Sequence, residues 1–150
     1  MTTVPVSGRW LAGLAAAVCL WPLVAVVGAL GLHVTILHVI ALSSAVACAV
    51  PVFCRDRDAF RVACATAGVV VAVASVFPVL MLGWIAIVGA GWSPFLVFLL
   101  PTAAIPALVA AFQRARGRQY GLVASAFGWF TGLASIAGWT LVVCLIASWR

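Results

Sequence analysis

Between Trp10 and Phe53 the chain runs for 44 residues without an aspartate, glutamate, lysine or arginine. As one continuous helix that run would be roughly 66 Å long at 1.5 Å per residue. The hydrocarbon core of a bilayer is about 30 Å thick, so the run is too long for one membrane pass and right for two. The rest of the chain repeats the pattern, long apolar stretches separated by short clusters of arginine. That alternation fixes the class.

A soluble domain has about 45–50% apolar and 25% charged residues. Here the values are 67% and 7%, with a mean hydropathy of +1.33. A chain of 150 residues cannot bury that much apolar surface with so little polar surface to cover it. Lipid is therefore the solvent for most of the chain. The reading is an all-α polytopic transmembrane helix bundle, one integral membrane domain with spans at about 10–31, 34–53, 62–88, 94–113 and 121–147.

Arg9 followed by an apolar run also resembles a secretory signal. At about 22 residues the run exceeds the 7–15 of a signal's apolar region, so it is read as an uncleaved first helix kinked at Pro22. Gly28 to His33 offers the turn into the second span, glycine permitting the backbone angles. Asp58 is the expected N-cap of the third helix, and Pro78 its bend. Gly89 to Pro94 forms the next turn, and Pro101 and Pro106 should open the hydrogen-bond ladder of the fourth helix. Gln113 to Tyr120 is a second charged loop, leading into the fifth span.

Charge sets the orientation. With five passes, Arg9, the loop of Arg55, Arg57 and Arg61, and the loop of Arg114, Arg116 and Arg118 share one side, leaving only Arg150 opposite. Positively charged loops stay in the cytoplasm, which puts the N-terminus inside and the C-terminus outside. The expected location is the cell inner (plasma) membrane, multi-pass. Trp84, Trp92, Trp139 and Trp149 then fall near the outer interface and Trp10, Phe53, Phe112 and Tyr120 near the inner one, as aromatic belts do. The abundance of alanine and valine, with arginine in place of lysine, points to a GC-rich bacterial genome.

The net charge of +6 sits in these clusters and not on a soluble basic module, which excludes nucleic acid as a partner. The lipid bilayer is the expected partner. The fifth span carries Gly121, Ser125, Gly128, Gly132 and Ser135 at helical spacing, including a G-x-x-x-G at Gly128–Gly132. Small residues let helix backbones approach closely. Such a stripe serves a membrane-protein partner, a homo-oligomer or, most simply, packing inside the same bundle. Ala41, Ser44, Ala45, Cys48 and Ala49 make a milder version on the second span.

Few side chains could carry chemistry. Asp56-Arg57-Asp58 matches D-x-D, but pairing with Arg55, Arg57 and Arg61 and capping account for both aspartates. His33 and His38 project about 140° apart on a helix and share no face. Five cysteines show no metal-type spacing, and Cys54, beside Arg55, has no base on its side of the membrane. No catalytic residue, cofactor or metal is expected. The functional expectation is a non-enzymatic accessory or assembly subunit. A small transporter or channel component, using the proline-broken fourth helix, is the alternative, followed by a membrane enzyme acting on a lipid-like substrate.

Overall fold

A helix that has lipid around it must satisfy its own backbone, because no water is there to do so. The apolar runs comply. A computed structural model of the chain describes residues 4–30, 35–87, 101–116 and 121–148. They form five helices: α1 (Val6–Leu30), α2 (Thr35–Phe53), α3 (Arg57–Ile87), α4 (Ala104–Arg116) and α5 (Gly121–Ser148). Three contain stretches long and apolar enough to cross a membrane, Val6–Val24, Arg57–Val76 and Leu122–Leu145. In α2 the apolar stretch, His38–Phe53, is shorter.

Several boundaries depart from the sequence expectation, each for a local reason. Helix α1 begins four residues before Trp10, where Pro5, with its preset φ, accepts the Gly8 N–H at 2.9 Å. It also continues through Leu30, so Gly28 belongs to the helix, and the rest of the expected turn lies outside the described residues. Helix α3 starts at Arg57, two residues before the start that a cap at Asp58 implies, because its cap lies at Asp56. Helix α4 runs on to Arg116, so Gln113, Arg114 and Arg116 are helical and not part of a loop. Arginine is a good helix former, and positive charge suits a helix C-terminus.

Pro106 removes no hydrogen bond from α4, and the residues immediately before Pro101 lie outside the described residues. Pro101 opens a 3₁₀ turn over 101–103, and Pro106 lies in the first turn of α4, where backbone N–H groups have no intrahelical acceptor anyway. Pro22 stands inside α1 and Pro51 in the last turn of α2. The expected start of the fourth helix at 94, the turn at 89–94 and Arg118 lie outside the described residues.

Helices α1 and α4 pack against each other at the centre. Helix α5 lies across both, while α2 packs on α1, α3 packs on α4, and α2 and α3 close against one another. The interior is built largely from small side chains: Ala12 and Ala15 of α1, Ala63 and Ala67 of α3, and Ala104, Ala107, Ala110 and Ala111 of α4 are all buried. Bulky apolar residues face outward instead, among them Val69, Val73, Val76 and Leu80 of α3 and Phe127, Phe130 and Leu133 of α5. A protein in water would reverse that distribution; a bundle in lipid gains nothing by hiding bulky apolar groups and packs by close backbone approach.

The glycines of α5 show the approach directly. A Cβ on Gly128 would stand 3.1 Å from the Ala107 Cα and 3.3 Å from the Pro106 carbonyl, and one on Gly132 would stand 2.6 Å from a Leu14 methyl. Ser125 and Ser135 on the same face are buried, as are Ser44, Ala45 and Cys48 of α2. These faces point into the chain's own bundle. Gly128→Leu, which meets backbone, is expected to destabilise the protein by about 1–3 kcal/mol or more. Gly132→Ala, which meets a movable leucine tip, should cost less. Thermal unfolding of the variants in mild detergent reads the order.

Candidate functional site

The start of α3 shows how the charged segment 54–61 is used. Asp56, not Asp58, is the N-cap: its carboxylate accepts the Ala59 N–H at 3.1 Å, satisfying one of the helix's first free donors. Asp58 follows in the first turn, where a negative charge suits the helix dipole, and it pairs with Arg61 at 3.2 Å. Asp58 is 84% exposed, so water screens the pair and it contributes little to stability.

The arginines reach between helices. Arg57 Nε donates to the Ala115 carbonyl in the last turn of α4. Arg9 of α1 donates to the Cys54 carbonyl just beyond α2, at 3.1 Å. Arg114 Nε donates to the Ser125 hydroxyl of α5 at 2.7 Å. Arg61 of α3 and Arg116 of α4 both lie over the Phe112 ring, 5.6 and 5.4 Å from its centroid, close enough for a cation–π attraction. The beginnings of α1, α3 and α5 and the ends of α2 and α4 therefore meet at one end of the bundle.

Beneath the charges lies an apolar plug with a member from every helix or its edge. Val4, Leu11, Phe60, Cys64, Ala111 and Ala115 are buried in it, with Cys54, Phe112 and Ala124 packed at its margin. Phe60 is the largest fully buried side chain described, and a Cβ added to Gly8 would stand 3.4 Å from its ring. The sequence pattern gives no role to Phe60 and assigns Phe112 only to the inner aromatic belt, whereas its ring lies under Arg61 and Arg116. Phe60 falls in the first turn after Asp56, at i, i+4 spacing from Cys64, and Phe112 stands at i, i+4 from Arg116. Both signals require 57–61 and 113–116 to be read as helix.

Other candidates are placed as follows. The Cys54 thiol donates back to the Val50 carbonyl of the helix it follows, at 3.6 Å. All five cysteines are free, and Cys19 of α1 and Cys48 of α2 are buried in the same core cluster. His38 is half-buried in the first turns of α2, and His33 lies outside the described residues. No group of three metal-ligating side chains occurs among the described residues. Arg55 is exposed, and Gly121 opens α5. Of the aromatic residues assigned to interfacial belts, Trp10, Phe53 and Trp84 are exposed, whereas Trp139 is buried in the bundle and so does not face lipid. Trp92, Tyr120 and Trp149 lie outside the described residues.

Comparison of the chain with protein families, curated proteins and solved structures finds no match.

Two stability contrasts follow from the geometry. Asp56→Ala should cost about 1 kcal/mol for a lost cap, while Asp58→Ala should cost less because its ion pair is exposed; equal costs would mean that Asp56 is not the cap. Phe60→Ala should cost about 3–5 kcal/mol, the range for a large aromatic removed from a packed core. Denaturation in detergent, followed by circular dichroism, measures all three.

Proposed function

We propose that the protein is a five-pass component of the cell inner (plasma) membrane, with its basic end in the cytoplasm and its C-terminus outside. In this reading it is a non-enzymatic accessory or assembly subunit. The observation that carries the reading is how the charged side chains are used. Arg9, Arg57 and Arg114 each fasten one helix to another, and Asp56 caps a third. Side chains held by such structural work are poorly placed to act on a substrate.

Further support comes from threading and from the surface. Helix ends that alternate around one basic cluster suit a chain that crosses five times, and arginine-rich ends stay on the cytoplasmic side. The small-residue faces of α2 and α5 are turned inward, so a membrane-protein partner or a second copy would meet the bulky outer faces. Phe127, Phe130 and Leu133 of α5 make the most aromatic of these, with Val69, Val73 and Val76 on α3. One feature favours the transporter alternative: the 3₁₀ turn at 101–103 is irregular backbone leading into the central helix, of the kind that lines paths through membrane proteins.

Purification in mild detergent with identification of co-purifying proteins tests the subunit reading. A companion or homo-oligomer at fixed stoichiometry is expected, weakened by Phe130→Ala with Leu133→Ala while the protein's own melting is kept. A monomer without companions opposes the reading. For topology, a reporter inserted after Arg55 should behave as cytoplasmic and one fused after Arg150 as external; the reverse pattern overturns the orientation.

A further inference from the structure

Helices α3 and α4 do not close against each other along their whole length. Between them lies a groove of about 480 Å³, open on one side. Its α3 wall is made of small residues, including Gly68 and Ala72, and its α4 wall of Ile105, Val109 and Phe112. The small residues create the space: a Cβ built on Gly68 meets nothing within 4 Å. From Ile105 to Arg116 the α4 wall extends roughly 16 Å at helical rise.

The two helices run antiparallel, so the groove has unlike ends. One end is wholly apolar. The other reaches the basic end of the bundle, where Gln113 and Arg116 line the groove and Arg61 shares the Phe112 ring with Arg116. Of the two carboxylates at this end, Asp56 caps α3 and Asp58 is paired with Arg61. Among the described residues, neither Arg116 nor Gln113 has a hydrogen-bond partner within the chain. The mouth thus presents an uncommitted guanidinium and an amide above an apolar channel. An occupant that matches both ends has a negative head and a hydrocarbon tail.

We infer that this groove binds one anionic glycerophospholipid, its acyl chain lying between α3 and α4 and its phosphate at Arg116 and Gln113. The inference needs only that the bundle is embedded in lipid; it does not depend on the protein being an accessory subunit. Basic pockets between membrane helices recognise acidic headgroups, because each arginine near the surface attracts the phosphate and the apolar channel supplies the rest. A zwitterionic lipid could enter the channel but would gain less at the mouth, and free phosphate would gain nothing from the channel.

The test is native mass spectrometry of the full chain in a non-ionic detergent, titrated with phosphatidylglycerol, phosphatidylcholine or inorganic phosphate. Phosphatidylglycerol should be retained about tenfold better than phosphatidylcholine, and phosphate should not displace it. Arg116→Gln should remove most of that preference, and Arg116→Lys should keep part of it. Gly68→Leu should lower retention of phosphatidylglycerol by filling the channel. If that variant does not fold, Val109→Trp obstructs the same groove from α4, at a half-exposed position. Equal retention of the two lipids overturns the inference. So does undiminished binding in Arg116→Gln, or in the folded channel variant. Displacement by phosphate would make the mouth a site for a free anion and overturn the lipid assignment.

Discussion

The hydrogen bond from Arg57 to the Ala115 carbonyl ties the start of α3 to the end of α4, and the basic end of the molecule is arranged around ties of this kind. The last carbonyls of a helix lack intrahelical donors, and the first N–H groups lack acceptors. At a membrane boundary water can serve some of them. Here side chains from neighbouring helices serve several instead, so that satisfying a helix end also positions its neighbour. Asp56 does so for its own helix, Arg57 for α4, and Arg9 for the residue that closes α2. The apolar plug around Phe60 fills the space these ties enclose.

Away from that end the bundle is held by a different means. Alanine, glycine, serine and cysteine fill much of the helix contacts, joined by Leu14, Val18, Val71 and Leu108, while most other valines, leucines and phenylalanines face outward. Hydrophobic burial gives no net advantage when lipid is the alternative environment, so the number of close contacts decides how helices meet. Gly128 and Gly132 let α5 come within contact distance of α4 and α1, and the buried alanines of α4 allow that short helix to serve as the centre. The arrangement also explains the open groove. Where α3 presents small residues and α4 does not come close enough to fill the gap, a channel remains.

How far this was visible in the sequence varies with the physics of each element. Hydropathy marks apolar runs, and the helices α2 and α5 begin and end within a residue of the runs at 34–53 and 121–147. It says nothing about helical turns built from polar residues. Hydropathy therefore starts α3 two residues late and leaves the last turn of α4 in a loop, although these turns carry the arginines that join the helices. The choice of Asp58 over Asp56 as cap came from the same error, since a helix assumed to start late takes the later aspartate. The small-residue stripes could be seen, but their direction could not. A periodic pattern identifies a contact face without naming what covers it, and the covering residues, Leu14, Pro106 and Ala107 for α5, lie in other parts of the chain.

The exclusive use of arginine also gains a structural reading. Arg57 and Arg114 both make their interhelical bonds through Nε, the donor nearest the chain, which lysine does not possess. A guanidinium held at Nε keeps its two terminal nitrogens for water or for a phosphate, so one side chain can close a helix contact and still present positive charge at the interface. Arg61 and Arg116 use the planar face of the same group against Phe112. Lysine could satisfy the charge requirement that orients a membrane protein, but with a single ammonium it would have to choose between the neighbouring helix and the headgroup region. The arginine clusters thus join helices while keeping positive charge at the helix ends, and a chain with so few polar residues needs that double service.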